Sequence, residues 1–219
     1  MIAPVWLIGG GLTGLMGAIA LYQHVRQRKR REALTEYCQI RGFAFEPKRP
    51  GGERRFRDVF EPFQQGQDNS WRNTISGAKN GAPFIAFEYV WTTGSGRSRR
   101  THHRSGLIWE SDAVSFPKFA LAPEGWFSRL GEFFGLQDID FTDAPEFSQA
   151  YRLTGPNESA IRQLFTPEIR QFLAATPDQH VTGGGRFLIW WFDSELPAAD
   201  ELDEWLERGD HVRRRFFTK

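Results

Sequence analysis

The sequence predicts an α+β protein: an N-terminal transmembrane helix, then a cytoplasmic domain with a mainly antiparallel sheet and packed helices. Three observations predict it. Residues 2–22 carry no charged side chain. Asn80-Gly81 stands between two β-rich runs. The second half alternates apolar runs at helical spacing with short strand-like segments.

Composition bounds the answer. Of 219 residues, 40% are hydrophobic and 25% charged, a globular rather than disordered balance. Twenty Phe and eight Trp supply apolar area for a core. The lone cysteine, Cys38, excludes an intramolecular disulfide and a cysteine-built zinc site.

The 21 uncharged residues 2–22 span about 31 Å as a helix, against about 30 Å of bilayer hydrocarbon. Pro4 suits a first turn, and Trp6 and Tyr22 suit the two interfaces. The charges follow the apolar run instead of preceding it, which argues against a cleaved signal peptide. Residues 1–25 are therefore expected to span, residues 26–42 to form a basic juxtamembrane stalk helix, and residues 43–219 to form the cytoplasmic domain.

Gly10, Gly14 and Ala18, with Gly17 beside them, share one helical face. Small-xxx-small spacing lets helices approach closely, so this face is read as a packing surface for self-association or for other membrane subunits. Glycine is also common in spanning helices generally. Behind it, "RQRKRR" places Arg26, Arg28, Lys29, Arg30 and Arg31 together. That cluster orients the helix with its amino terminus outside and is expected to meet anionic lipid headgroups. It also accounts for much of the positive charge: the rest of the chain has fewer bases than its 27 acids, and no nucleic-acid partner is expected.

The remaining elements follow in order. Ala33, Leu34, Tyr37 and Cys38 form a helical stripe, and Gly42 suits its C-cap. "FAFEPKRPGG" reads as a short strand and a loop. "WRNTISGAK" and "PFIAFEYVWTT" make a hairpin in which Ile85, Phe87, Tyr89 and Trp91 share one face. "THHRSGLIWES" returns, and "SFPKFALAP" adds a strand whose Pro117 suits a sheet edge. Trp126, Phe127, Leu130, Phe133 and Phe134 form a helical stripe. "AYRLTG" is a short strand, and Thr166-Pro167 divides two helices. "QHVTGGGRFLIWWFD" turns at its glycines, and "RFLIWWF", apolar on both faces, suits a covered central strand. "AADELDEWLERG" closes with an amphipathic helix.

The segment "TTGSGRSRRTHHR" resembles a working part. It lacks the lysine of a Walker loop and a following helix. His102 and His103, adjacent in a strand, point to opposite faces and cannot easily chelate one metal. Arg97, Arg99, Arg100 and Arg104 are the candidate anion or partner contacts, with self-pairing to the acidic stretch 124–146 as the alternative. "LQDIDFTDAPEF" fails the EF-hand pattern, so Asp138, Asp140, Asp143 and Glu146 read as caps and turns. No catalytic, metal or cofactor site is assigned.

The span with "RQRKRR", and the runs "YVWTTGSGRSRRTH", "FALAPEG", "FGLQDIDF", "FSQAYRLTGP" and "IRQLFTPEIRQFL", cover most of the chain. In these the sequence resembles uncharacterised bacterial single-span membrane proteins with a cytoplasmic domain of unknown function. The resemblance implies placement in a bacterial inner membrane and brings no catalytic residue or cofactor. The expected function is a membrane-anchored, non-enzymatic accessory or scaffold protein. Its cytoplasmic domain would bind a protein partner while the span docks laterally. The alternative is a membrane-tethered hydrolase, or an anionic-lipid or phosphate-binding domain, using residues 97–104. The hydrolase would require His102 or His103 to meet Asp138, Asp140 or another acid.

Overall fold

The computed structural model describes residues 6–60, 63, 66–126 and 138–217, with side chains from residue 17 onward. The first helix, α1 (Trp6–Arg41), stops at Gly42, whose φ of 70° is open to glycine at little cost. Then come β1 (Ala44–Lys48), a 3₁₀ turn (Gly52–Phe56), β2 (Gln67–Lys79) and β3 (Ala82–Thr93). Asn80 and Gly81, at φ 52° and 76°, form the tight β2–β3 turn with Lys79 opposite Ala82. β4 (Arg100–Glu110), β5 (Phe116–Pro123), α2 (Pro145–Ala150) and β6 (Tyr151–Thr154) follow, then α3 (Glu158–Leu164), α4 (Pro167–Ala175), β7 (Val181–Gly185), β8 (Phe187–Phe192) and α5 (Leu202–Phe217).

Among the described residues this is an α+β fold with five helices and one eight-stranded sheet. The sheet order is β1-β2-β3-β4-β8-β7-β5-β6, and every neighbouring pair is antiparallel. β8 is central, as its apolar faces predict. Pro117 departs from expectation. Its strand lies between β6 and β7, and the β5–β7 register slips between Phe116 and Phe119. A bulge removes the need for an edge, because a bulged residue owes the ladder no N–H.

Alternation along the strands makes two cores. Leu107, Trp109, Leu188 and Trp190 face the helices, where they meet Leu34 and Cys38 of α1 and Leu206 and Phe216 of α5. The other face carries Phe87, Tyr89, Trp91, Ile108, Ile189 and Trp191, covered by Phe56, Phe60, Phe63 and Trp126. Ile85, Phe87, Tyr89 and Trp91 do share this face. α5 runs on through Gly209 to Phe217. A Cβ on Gly209 would lie 2.3 Å from Leu107 Cδ1 and 2.8 Å from Trp190 Cε3.

The expected transmembrane helix, and with it the placement in a bacterial inner membrane with the amino terminus outside, is corrected. Among the described residues, no helix is long and apolar enough to cross a membrane. Five glycines (9, 10, 11, 14 and 17) and Thr13 dilute the apolar run, and glycine has no side-chain area to transfer into hydrocarbon. Residues 1–5 of the expected span lie outside the described residues. α1 instead continues without a break into its basic half. It packs there on β1 and β2, burying Leu34 and Cys38, while Ile19, Leu21, Tyr22 and Val25 are exposed.

Candidate functional site

The β3–β4 connection builds the site. Thr93 faces Arg100 in the register, so the tip comprises residues 94–99. Gly94, at φ 73°, permits it: a Cβ would lie 2.5 Å from the Ser98 carbonyl oxygen. Ser98 Oγ donates to the Ser95 carbonyl at 2.8 Å and accepts from the Ser95 N–H at 3.4 Å, closing a 3₁₀ turn (Gly96–Ser98). The tip is thus closed by bonds between the Ser98 hydroxyl and the Ser95 backbone.

The four arginines occupy three environments. Arg97 and Arg100 are exposed and have no ion-pair partner among the described residues. Arg99 pairs with Asp68 at 2.7 Å. Arg104, 1% exposed, is enclosed by three tryptophans: its guanidinium carbon lies 4.9 Å from the Trp91 ring centroid, 5.4 Å from Trp126 and 4.7 Å from Trp191. A guanidinium removed from water needs an anion and π-faces to replace its hydration. Arg104 Nε donates to Asp193 Oδ1 at 2.6 Å, and Trp126 Nε1 donates to Asp193 Oδ2 at 2.8 Å. The neighbouring His180 is buried against Trp191 and Trp126, and its Nδ1 has no hydrogen-bond partner among the described residues. Burial pushes the His180 imidazole down to about 4, with Asp193 opposing the shift and Arg104 adding to it.

His102 and His103 do point to opposite faces. His102 stacks on Trp91 at 4.9 Å and 17°, with its Nε2 2.8 Å from Thr93 Oγ1. Burial and then Arg104 lower its pKa. On the helix face, His103 Nδ1 lies 3.7 Å from Glu88 Oε1. Glu88 is buried and holds four elements together. Its Oε2 accepts from Arg30 Nη2 of α1 at 2.8 Å, from Asn73 Nδ2 of β2 at 3.1 Å and from the Leu196 N–H at 3.3 Å. Burial opposes its ionisation, but His103, Arg30 and Asn73 outweigh burial and hold the carboxyl at about 2.

The basic cluster is therefore partly internal. Besides Arg30, Arg26 stands 3.8 Å from Glu195 and Arg28 pairs with Glu32 at 2.8 Å, one helical turn on. Lys29 is exposed and Arg31 half-buried. Of the glycine face, Ala18 is exposed and a Cβ on Gly17 would meet nothing within 4 Å. The surroundings of Gly10 and Gly14 lie outside the described residues, as does the stripe from Phe127 to Phe134.

The acidic loop lies apart from the histidines. Asp138 accepts from the Leu153 N–H at 3.1 Å and bridges Thr154 at the β6 edge. Asp143 takes both Nη atoms of Arg170, at 2.6 and 2.9 Å. The sequence predicts cap and turn roles for these aspartates; Asp138 instead bonds β6 and Asp143 pairs with Arg170. Sequence reasoning missed Glu88, Trp91, Trp191 and Asp193. One signal was available: Glu88 is the only charged residue in "PFIAFEYVWTT". A carboxylate in a covered strand requires a partner.

A cleft of about 430 Å³ opens here, lined by Trp91, residues 101–104 and residues 193–195. Its two acids are already matched: Asp193 by Arg104, and Glu195 by Arg30 and Arg26.

No protein-family model matches the chain, and no curated protein matches it. In fold it is similar to the crystal structure of the mycobacterial trehalose monomycolate transport factor A, with a TM-score of 0.56 at 12% identity. That likeness covers 84% of this chain and 90% of the other, and it concerns the fold alone.

Proposed function

We propose that this protein is a non-enzymatic accessory factor that binds a protein partner at the Arg97–Arg100 end of its sheet. The observation that carries the reading is the division of the arginines. Arg104 and Arg30 are committed inside the fold, while Arg97 and Arg100 stand exposed on an ordered tip without ion-pair partners among the described residues. An ordered tip presents charge at little entropic cost to binding. The chain shares its fold with a protein described as a transport factor, and a non-enzymatic accessory role is compatible with that description.

The hydrolase reading needs a histidine–acid pair, and the arrangement gives it little support. The acid nearest His103 is Glu88, already held by Arg30 and Asn73, and Asp138 sits at the β6 edge. The test is site-specific photocrosslinking of the full chain in its native cells. A crosslinker at position 97 or 100 is expected to give a discrete protein adduct that is absent with the crosslinker at exposed Asp112. Equal labelling from both places, or none from the tip, refutes the reading.

A further inference from the structure

β4 is longer than its neighbour. It pairs with β3 from Arg100 opposite Thr93 to Trp109 opposite Phe84. With β8 it pairs only from Ser105, opposite Phe192, to Glu110. Beyond Phe192 the chain bends away through Asp193 and Ser194, and the Leu196 N–H is drawn to Glu88. Residues 100–103 therefore have a strand on one side and, among the described residues, none on the other. In an antiparallel ladder alternate residues turn their N–H and C=O to each side. Some of the backbone groups of residues 100–103 thus face the 430 Å³ cleft. Most edges are blunted by proline, a bulge or a covering loop. Among the described residues no proline or bulge blunts this one, and residues 193–195 stand across the cleft from it, bonded to β4 only at Arg104 and Ser105.

We propose that this open edge of β4 receives an extended acidic peptide segment of another protein, which adds as a strand in line with β8. The proposal rests on the accessory-factor reading and names its partner's chemistry. Main-chain bonds along residues 100–103 would supply affinity, and alternate side chains the specificity. The register sets that alternation. Arg100 and His102 lie on the aromatic face, Thr101 and His103 on the helix face. With Asp193 and Glu195 matched internally, the uncommitted charge at the rim is cationic: Arg97 and Arg100. Acidic residues at every second position would meet them, and β-branched residues would fall between.

The probe is acetyl-Val-Glu-Val-Glu-Val-Glu-amide, titrated into the isotope-labelled full chain with backbone amide shifts read by NMR. Saturable shifts confined to residues 97–104 and their β3 partners are expected. N-methylating one alternate set of the peptide's amides should abolish binding, and methylating the other set should leave it within about twofold, since only one set can face β4. The Arg97→Glu/Arg100→Glu variant should bind about tenfold more weakly. Three results overturn the proposal: no saturable shifts, shifts centred elsewhere, or equal tolerance of both methylated sets, which would mean ion pairing without strand addition. A specific crosslink at position 97 or 100 together with a failed titration refutes strand addition alone. The absence of that crosslink refutes the accessory-factor reading itself.

Discussion

Arg30 of α1 donates to Glu88 of β3 at 2.8 Å across 58 positions of sequence, with 12% and 3% of the two side chains exposed. This pair fastens the first helix to the sheet. It also explains why a cationic run that reads as a membrane-surface cluster holds one arginine that is not at the surface.

Removing one partner of a buried pair leaves the other charge uncompensated, at a cost of about 3 kcal/mol or more. Glu88→Gln is expected to lower unfolding stability by about that amount, because Arg30, Asn73 and the Leu196 N–H all converge on the carboxylate. Arg28→Gln, which breaks an exposed one-turn pair, should change stability by about 0.5 kcal/mol or less. Urea denaturation of the two variants side by side checks the contrast.

Acid should destabilise the fold in two stages. The His180 pKa is depressed to about 4 in the folded state, below its ordinary 6.5, so the unfolded chain binds the proton more readily. The neutral ring's contribution is complete above pH 6.5 and is lost as pH falls towards 4. Glu88, held at about 2 against an ordinary 4.5, contributes above pH 4.5 and is lost as pH falls towards 2. Each stage has a limiting slope of about 1.4 kcal/mol per pH unit. His180→Phe should flatten the upper stage and leave the lower one, as measured by urea unfolding across pH 7 to 3.

Arg104→Lys should be far from conservative. A lysine cannot keep the planar contacts with Trp91, Trp126 and Trp191 while reaching Asp193. A loss of about 2 kcal/mol is expected, with red-shifted tryptophan emission as water reaches the indoles. Unchanged stability and emission would show that the enclosure contributes nothing.

Gly209→Ala should destabilise although alanine is the better helix former. The added methyl would collide with Leu107 and Trp190, and overpacking of this kind costs about 1–3 kcal/mol. Thermal unfolding of the variant, with Arg208→Ala as a neighbouring control, reads the difference.

By itself the sequence determined the local pieces: the Asn80-Gly81 turn, the shared face of Ile85, Phe87, Tyr89 and Trp91, the glycine after α1, the break at Thr166-Pro167 and the central place of "RFLIWWF". Each depends on turn chemistry or periodicity within a few residues, which is short-range physics. Only the tertiary structure decided which charges are internal, that Pro117 sits at a bulge, that Gly209 is a contact point within α5, and that β4 outruns β8. Those outcomes depend on partners far apart in the chain. Arg30 and Arg104 look like Arg97 and Arg100 until folding places Glu88 beside one and Asp193 among three indoles beside the other. A side chain's charge is written in its residue type, but whether that charge meets water, a carboxylate or a partner is set by what the fold packs against it.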